Sequence, residues 1–114
     1  MDPITAAPLC QLQDIPDGGA IACDDVLIDG EAESIIVYRR GDTVRAYLNI
    51  CPHAGRRLDW SPGKFLLKNE VLVCAAHGAS FDVDDGLCSA GPCRGQSLRA
   101  VAVWVDHGQV VLAG

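Results

Sequence analysis

The sequence predicts an all-β, antiparallel domain, and three observations carry that prediction. Val44, Ala46, Leu48 and Ile50 alternate with Arg45, Tyr47 and Asn49, the period of two expected of a half-buried strand. Ile35-Ile36-Val37-Tyr38 is a β-branched run suited to a pleated sheet. No segment sustains a 3.6-residue apolar period for three turns, so helix is expected as a single turn at most.

Taken in order, residues 9–12 and 21–28 read as edge strands separated by the turn residues Asp14-Ile15-Pro16-Asp17-Gly18-Gly19. After the Ile35–Tyr38 run, Gly41-Asp42 is a two-residue hairpin signal with Gly first, as a type II′ turn requires. The strand from Val44 then delivers the chain into Cys51. Ser61-Pro62-Gly63 is a turn, and residues 70–73 form a strand running into Cys74. Phe81-Asp82-Val83 and Leu87-Cys88 flank Asp84-Asp85-Gly86, a further hairpin. Residues 99–105 set Val101, Val103 and Val105 against Ala100, Ala102 and Trp104, and Asp106-His107-Gly108 turns this strand back into residues 109–112. No repeat or low-complexity linker divides the chain. Its 114 residues suffice for one core, so 1–114 is read as one domain.

Hydrophobic residues make up 49% of the chain, but only two Phe, two Trp and two Tyr are among them, so aliphatic side chains must build the core. No basic stretch precedes an apolar run near the start, and no window approaches eighteen apolar residues, so neither a leader nor a membrane span is expected. A cytoplasmic location follows, and the six cysteines read as thiols or metal ligands rather than a disulfide framework. The net charge of −6 is uneven: residues 43–68 carry five bases (Arg45, Arg56, Arg57, Lys64, Lys68) against the single acid Asp59. So acidic a chain is not expected to bind nucleic acid, whereas a charge-steered protein partner fits, with Arg56, Arg57 and Arg94 as the guiding patch.

The chemistry concentrates in two matched pairs, Cys51-Pro52-His53-Ala54-Gly55 and Cys74-Ala75-Ala76-His77-Gly78. Two Cys and two His can close a tetrahedral zinc site, but such sites favour C-x2–4-C and H-x3–5-H spacings, and here each loop mixes one Cys with one His. One thiolate plus one imidazole, offered twice, suits a two-iron cluster in which each ligand type goes to a different iron. The pattern C-x-H…C-x-x-H, with Gly55 and Gly78 following, closely resembles the Rieske iron–sulfur family over roughly residues 49–95.

That resemblance implies a cluster-binding subdomain of about residues 49–95 on a β-base, holding a Rieske-type 2Fe-2S cluster. By the same resemblance Cys51 and Cys74 bind the buried iron and His53 and His77 the outer one. Gly55 and Gly78 would bring backbone N–H groups to the sulfides. Gly91-Pro92-Cys93 stands where a third loop covers the cluster in the family. Two features of one branch of the family are missing. Arg56 and Ala76 occupy the positions of its loop-bridging disulfide, and Ala79 and Phe81 those of the hydroxyls that bond to cluster sulfur. The chain therefore resembles the soluble, low-potential ferredoxin branch. Cys88 and Cys93 match no family ligand and are open to being free thiols, a local disulfide or a redox-active pair. Cys10 and Cys23 read as small apolar residues.

The expected function is that of a one-electron carrier passing electrons from a reductase to an oxygenase or another oxidoreductase. Beyond the four ligands only His107 remains, so a 2-His-1-carboxylate oxygen-activating site cannot be assembled from this sequence. Two other roles fit the same residues: a Rieske-like small subunit of a larger oxidoreductase, such as NADH-dependent nitrite reductase, and an iron–sulfur redox sensor.

Overall fold

The computed structural model describes residues 8–52, 57–61, 63–68, 70–74, 78–91 and 95–113. Among the described residues eleven strands are distributed over three antiparallel sheets. The central sheet has the order β2-β3-β4-β9, formed by Ala20–Ile28, Glu31–Arg40, Thr43–Leu48 and Ala100–Val101. An outer sheet, β1-β11-β10, joins Cys10–Gln11, Gln109–Leu112 and Val103–Asp106. A second outer sheet, β5-β6-β7-β8, is built from Leu66–Lys68, Val71–Val73, Ser80–Asp82 and Cys88–Ala90. The one helical element among the described residues is a 3-10 turn, Leu12–Asp14, within the single turn expected.

The β3–β4 hairpin forms where Gly41-Asp42 predicts it. Arg40 pairs with Thr43 and Gly41 has φ of 59°, the sign a type II′ turn needs at its first central residue. The all-β reading holds, but burial corrects the picture of a half-buried β4. Ile35, Ile36 and Val37 of β3 are fully buried, and Ala46, Tyr47 and Leu48 of β4 are buried in succession. The reason is that both faces of the central sheet are covered. Ile35, Val37, Val44, Ala46 and Leu48 face a core shared with β10 and β11, including Val110. Ile36, Tyr38 and Tyr47 face the other way, into a core with Leu72, Phe81 and Val83 of the small sheet region. An alternation of Tyr and Arg with aliphatics does not distinguish a solvated face from one covered by a second domain layer.

Two further departures have local causes. The strand expected over residues 99–105 is divided: Ala100 and Val101 pair with β4, while Val103 onward pairs with β11. At the junction the Ala102 carbonyl accepts from the Ala113 N–H at 2.9 Å, in register with the β10–β11 pairs, so the switch from one sheet to the other falls between Val101 and Ala102. One chain segment thus serves both sheets. The strand β5 was not anticipated, because Leu66-Leu67-Lys68 is too short to display a period.

Besides the shared core, specific contacts fasten the small sheet region to the base, among them the Arg40 ion pairs to Glu70 and Asp84. The Tyr47 hydroxyl donates to the Val83 carbonyl at 2.8 Å, and its ring lies so close to Gly86 that a Cβ there would approach Cε1 to 2.8 Å. Burial pushes the Tyr47 phenol up to about 12. Gly86 also accepts from the Leu98 N–H at 2.8 Å, which closes the subdomain back onto the base.

Candidate metal centre

Cys51 stands three residues past the end of β4, after Asn49 and Ile50, and Cys74 follows β6 directly, so both thiols are delivered by strands. Both are fully buried and belong to one apolar cluster with Leu58, Leu72, Ala79 and Phe81. The structure therefore brings the two predicted thiols into a common dry environment. His53 and His77, with Gly55, lie outside the described residues. The segments that carry the two histidines are nevertheless held at both ends by described contacts.

The first ligand loop is clamped by Asn49, the single polar residue buried in the core of the described chain. Its side-chain carbonyl accepts from the Leu58 N–H at 2.9 Å, and its amide donates to Ser34 Oγ at 3.2 Å. Its backbone N–H bonds to the Ser34 carbonyl at 2.9 Å. Residues 51–58 thus leave and return to one side chain. Just beyond, Arg57 grips Asp59 through Nε–Oδ1 at 2.9 Å and Nη2–Oδ2 at 2.7 Å, and also reaches Asp24 at 3.3 Å. The Asp59 side chain is only 2% exposed and also accepts from the Gly63 N–H at 3.0 Å. Burial pushes its carboxyl up, but the Arg57 fork, the Gly63 amide and Asn49 outweigh this and hold it below the usual carboxylate range.

The second loop closes on itself. The Gly78 N–H donates to the Cys74 carbonyl at 2.8 Å, and the Cys74 N–H to the Ala79 carbonyl at 2.7 Å. That first bond corrects the expectation for Gly78, whose N–H is committed to the loop rather than offered to a sulfide. Gly91, the first residue of the expected third loop, lies against the second loop. Gly91 has φ of 97°, and a Cβ on it would stand 2.8 Å from Ala79 Cα, so only glycine allows this approach to the second loop. Pro92, Cys93 and Arg94 lie outside the described residues. Ala79 and Phe81 are fully buried and carry no hydroxyl. Cys88 is buried, and its thiol donates to the Ala90 carbonyl at 3.3 Å.

The donor set fits an iron–sulfur cluster. Two fully buried thiols in one apolar cluster suit thiolate ligation of an iron shielded from water, and a histidine follows each thiol by two or three residues in the sequence. Two contributions were missed at the level of sequence: the Asn49 clamp and the Arg57–Asp59 pair. The signal available was a polar residue at the end of an alternating strand, immediately before a ligand motif. The same pair corrects the steering patch, since the Arg57 charge is met by two carboxylates. Arg56, like Arg94, lies outside the described residues.

Residues 5–111 match the family model described as Rieske [2Fe-2S] domain. The chain is 31% identical over 113 residues to the ferredoxin component of the alkene monooxygenase system of Xanthobacter autotrophicus, covering 97% of this chain and 83% of that protein. It is 42% identical over 63 residues to the oxygenase subunit of carnitine monooxygenase from Escherichia coli; that match spans 54% of this chain and 16% of the subunit. Among solved structures, the ferredoxin of carbazole 1,9a-dioxygenase from Nocardioides aromaticivorans superposes with a TM-score of 0.74 at 32% identity, covering 96% of this chain and 98% of that one. A chain from a complex of reduced oxygenase and oxidized ferredoxin in carbazole 1,9a-dioxygenase gives 0.75 at 29% identity, covering 95% and 92%. Among the described residues no helix is long and apolar enough to cross a membrane.

Proposed function

The chain belongs to the Rieske [2Fe-2S] domain family, and from that premise we propose that it is a ferredoxin, a one-electron carrier between a reductase and a terminal oxygenase. Its cofactor is a Rieske-type 2Fe-2S cluster. The observation that carries the functional reading is the near full-length match to ferredoxins of oxygenase systems, combined with a buried thiol pair in one apolar cluster. We assign Cys51 and Cys74 to the inner iron and His53 and His77 to the outer iron. The cluster, when bound, supplies one reversibly held electron.

The chain's own residues do the rest. Leu58, Leu72 and Phe81 keep water from the inner thiols, and Asn49 fixes the first loop so that Cys51 stays oriented. The apolar Ala79 and Phe81 give no hydroxyl to the cluster sulfurs, which leaves more electron density there and lowers the potential. The redox partners are read as a reductase and an oxygenase, and the compartment as the cytoplasm, where thiols remain reduced.

The test is direct. Protein made in iron-replete cells should carry about two irons and two labile sulfides, and show a Rieske-type paramagnetic signal on reduction. It should be reduced by an NADH-dependent reductase and reoxidised by a terminal oxygenase. Stoichiometric zinc without labile sulfide would overturn the reading. In film voltammetry the midpoint should lie near the lower end of the roughly −150 to +300 mV span of Rieske centres, and Ala79→Ser with Phe81→Tyr should raise it. A midpoint well above zero in the wild type would show that other donors compensate.

A further inference from the structure

Cys10 and Cys23 take no part in the metal centre, yet the fold brings them together. β1 carries Cys10 in the outer sheet and β2 carries Cys23 at the edge of the central sheet, and the two side chains line one groove and pack in one apolar cluster. Both pack into the core on the face of the central sheet opposite Cys51 and Cys74. They line an open groove of about 590 Å³ with Leu9, Ile21, Val26 and Leu27, a volume suited to a small molecule. Cys23 is nearly buried and Cys10 partly exposed, so the pair is reached from the groove. The neighbouring Cys23 holds the Cys10 thiol above its usual range, and Cys10 in turn draws the Cys23 pKa below the usual thiol value, against the opposing effects of burial, Asp24 and Asp14. A thiolate beside a second thiol is the arrangement that thiol–disulfide exchange requires.

We propose that Cys10 and Cys23 form a second, two-electron redox site that a small neutral or cationic disulfide oxidises to an intramolecular disulfide. The Cys23 thiolate attacks one sulfur of the reagent RS–SR, forming a mixed disulfide and expelling RS⁻. The Cys10 thiol then attacks the Cys23 sulfur, forming the protein S–S bond and expelling the second RS⁻. The two thiol protons end on the two expelled thiolates, so the protein loses two electrons and two RSH leave. The selection by charge comes from the carboxylates. Asp24 and Asp25 line the groove and Asp14 acts on both thiols; Asp24 is partly offset by Arg57, which leaves Asp14 and Asp25 to repel an anion.

The experiment uses the full chain with its cluster loaded. Samples are treated at low ionic strength with cystamine, which is dicationic, or with dithiodiglycolate, which is dianionic. After acid quenching and alkylation under denaturing conditions, peptides are analysed by mass spectrometry. A Cys10–Cys23 cross-linked peptide should appear roughly tenfold faster or more with cystamine, the difference should shrink at high salt, and dithiothreitol should reverse the link. Cys10→Ser should stop at a mixed disulfide on Cys23. The visible spectrum of the cluster is followed in the same samples, so a failure of this site is distinguishable from a failure of the cluster assignment. Full alkylation of both cysteines after cystamine treatment, or wild-type mixed disulfides that never close, would overturn the site. Equal rates with the two reagents would overturn the charge selection.

Discussion

β2, β3 and β4 of the base run for 9, 10 and 6 residues, whereas each strand of the small sheet that carries the second ligand loop has three. The long strands bury aliphatic side chains on both faces and need nothing else to fix their register. The short strands bury fewer side chains each, but Leu72, Phe81 and Val83 of their region pack in one core with Ile36, Tyr38 and Tyr47 of the base. Specific contacts add to that packing: the Tyr47–Val83 hydrogen bond, the Gly86 approach, the Arg40 ion pairs to Glu70 and Asp84 and, at the first loop, Asn49. On the proposed ligand assignment a cluster would further join the loops through the two buried thiols. The contrast is between long strands buried on both faces and short strands that share one core with the base and gain further order from specific bonds and the proposed cofactor.

Removing the cluster should separate the two regions most completely. Cys74→Ser is expected to abolish iron and labile sulfide, with loss of hydrogen-exchange protection in β5–β8 while β2, β3 and β4 remain protected. Simultaneous loss of protection in both would show that the base is not independent.

Next in size are the two adjacent isoleucines of β3. Ile35→Ala and Ile36→Ala should each cost about 2–5 kcal/mol in urea unfolding, the range for truncating a buried aliphatic side chain. Only Ile36 faces the core that contains Cys51 and Cys74, so only Ile36→Ala should also quicken cluster loss on chelation. Equal cluster lifetimes in the two variants would mean that the two faces are not separate.

Asn49→Ala is smaller. It leaves the buried Leu58 N–H without its acceptor and should cost about 1–3 kcal/mol. The same change should broaden the reduced cluster's paramagnetic signal, because the loop from Cys51 onward loses its clamp; an unchanged signal would confine Asn49 to stability alone.

The smallest effect concerns acid. Asp59 has a folded pKa below its unfolded value of about 3.9. Its contribution to stability is therefore complete above that value and is lost as pH falls through the lower folded one. Urea midpoints measured from pH 7 to pH 2 should fall less steeply at the acid end in Asp59→Asn than in the wild type. Parallel curves would leave Asp59 without a role in acid stability.

The sequence by itself determined the strands with a readable period and supplied the ligand set proposed above. Alternation in residues 44–50 and 101–105, the Gly41-Asp42 turn and the C-x-H…C-x-x-H pattern are local, and local patterns survive without the fold. The tertiary structure alone decided which faces are covered. It buried both sides of β3 and β4, split one expected strand between two sheets at Ala102, and gave Arg57 to Asp24 and Asp59. It also set Asn49 against Ser34, 15 residues earlier, and Leu58, 9 residues later. These outcomes were not legible because a residue's chemistry fixes what it can bond to, whereas only the packing of sheets fixes which partner lies within reach. Cys10 and Cys23 show the difference: each alone is a small apolar side chain, and they line one groove because two different sheets meet at that edge.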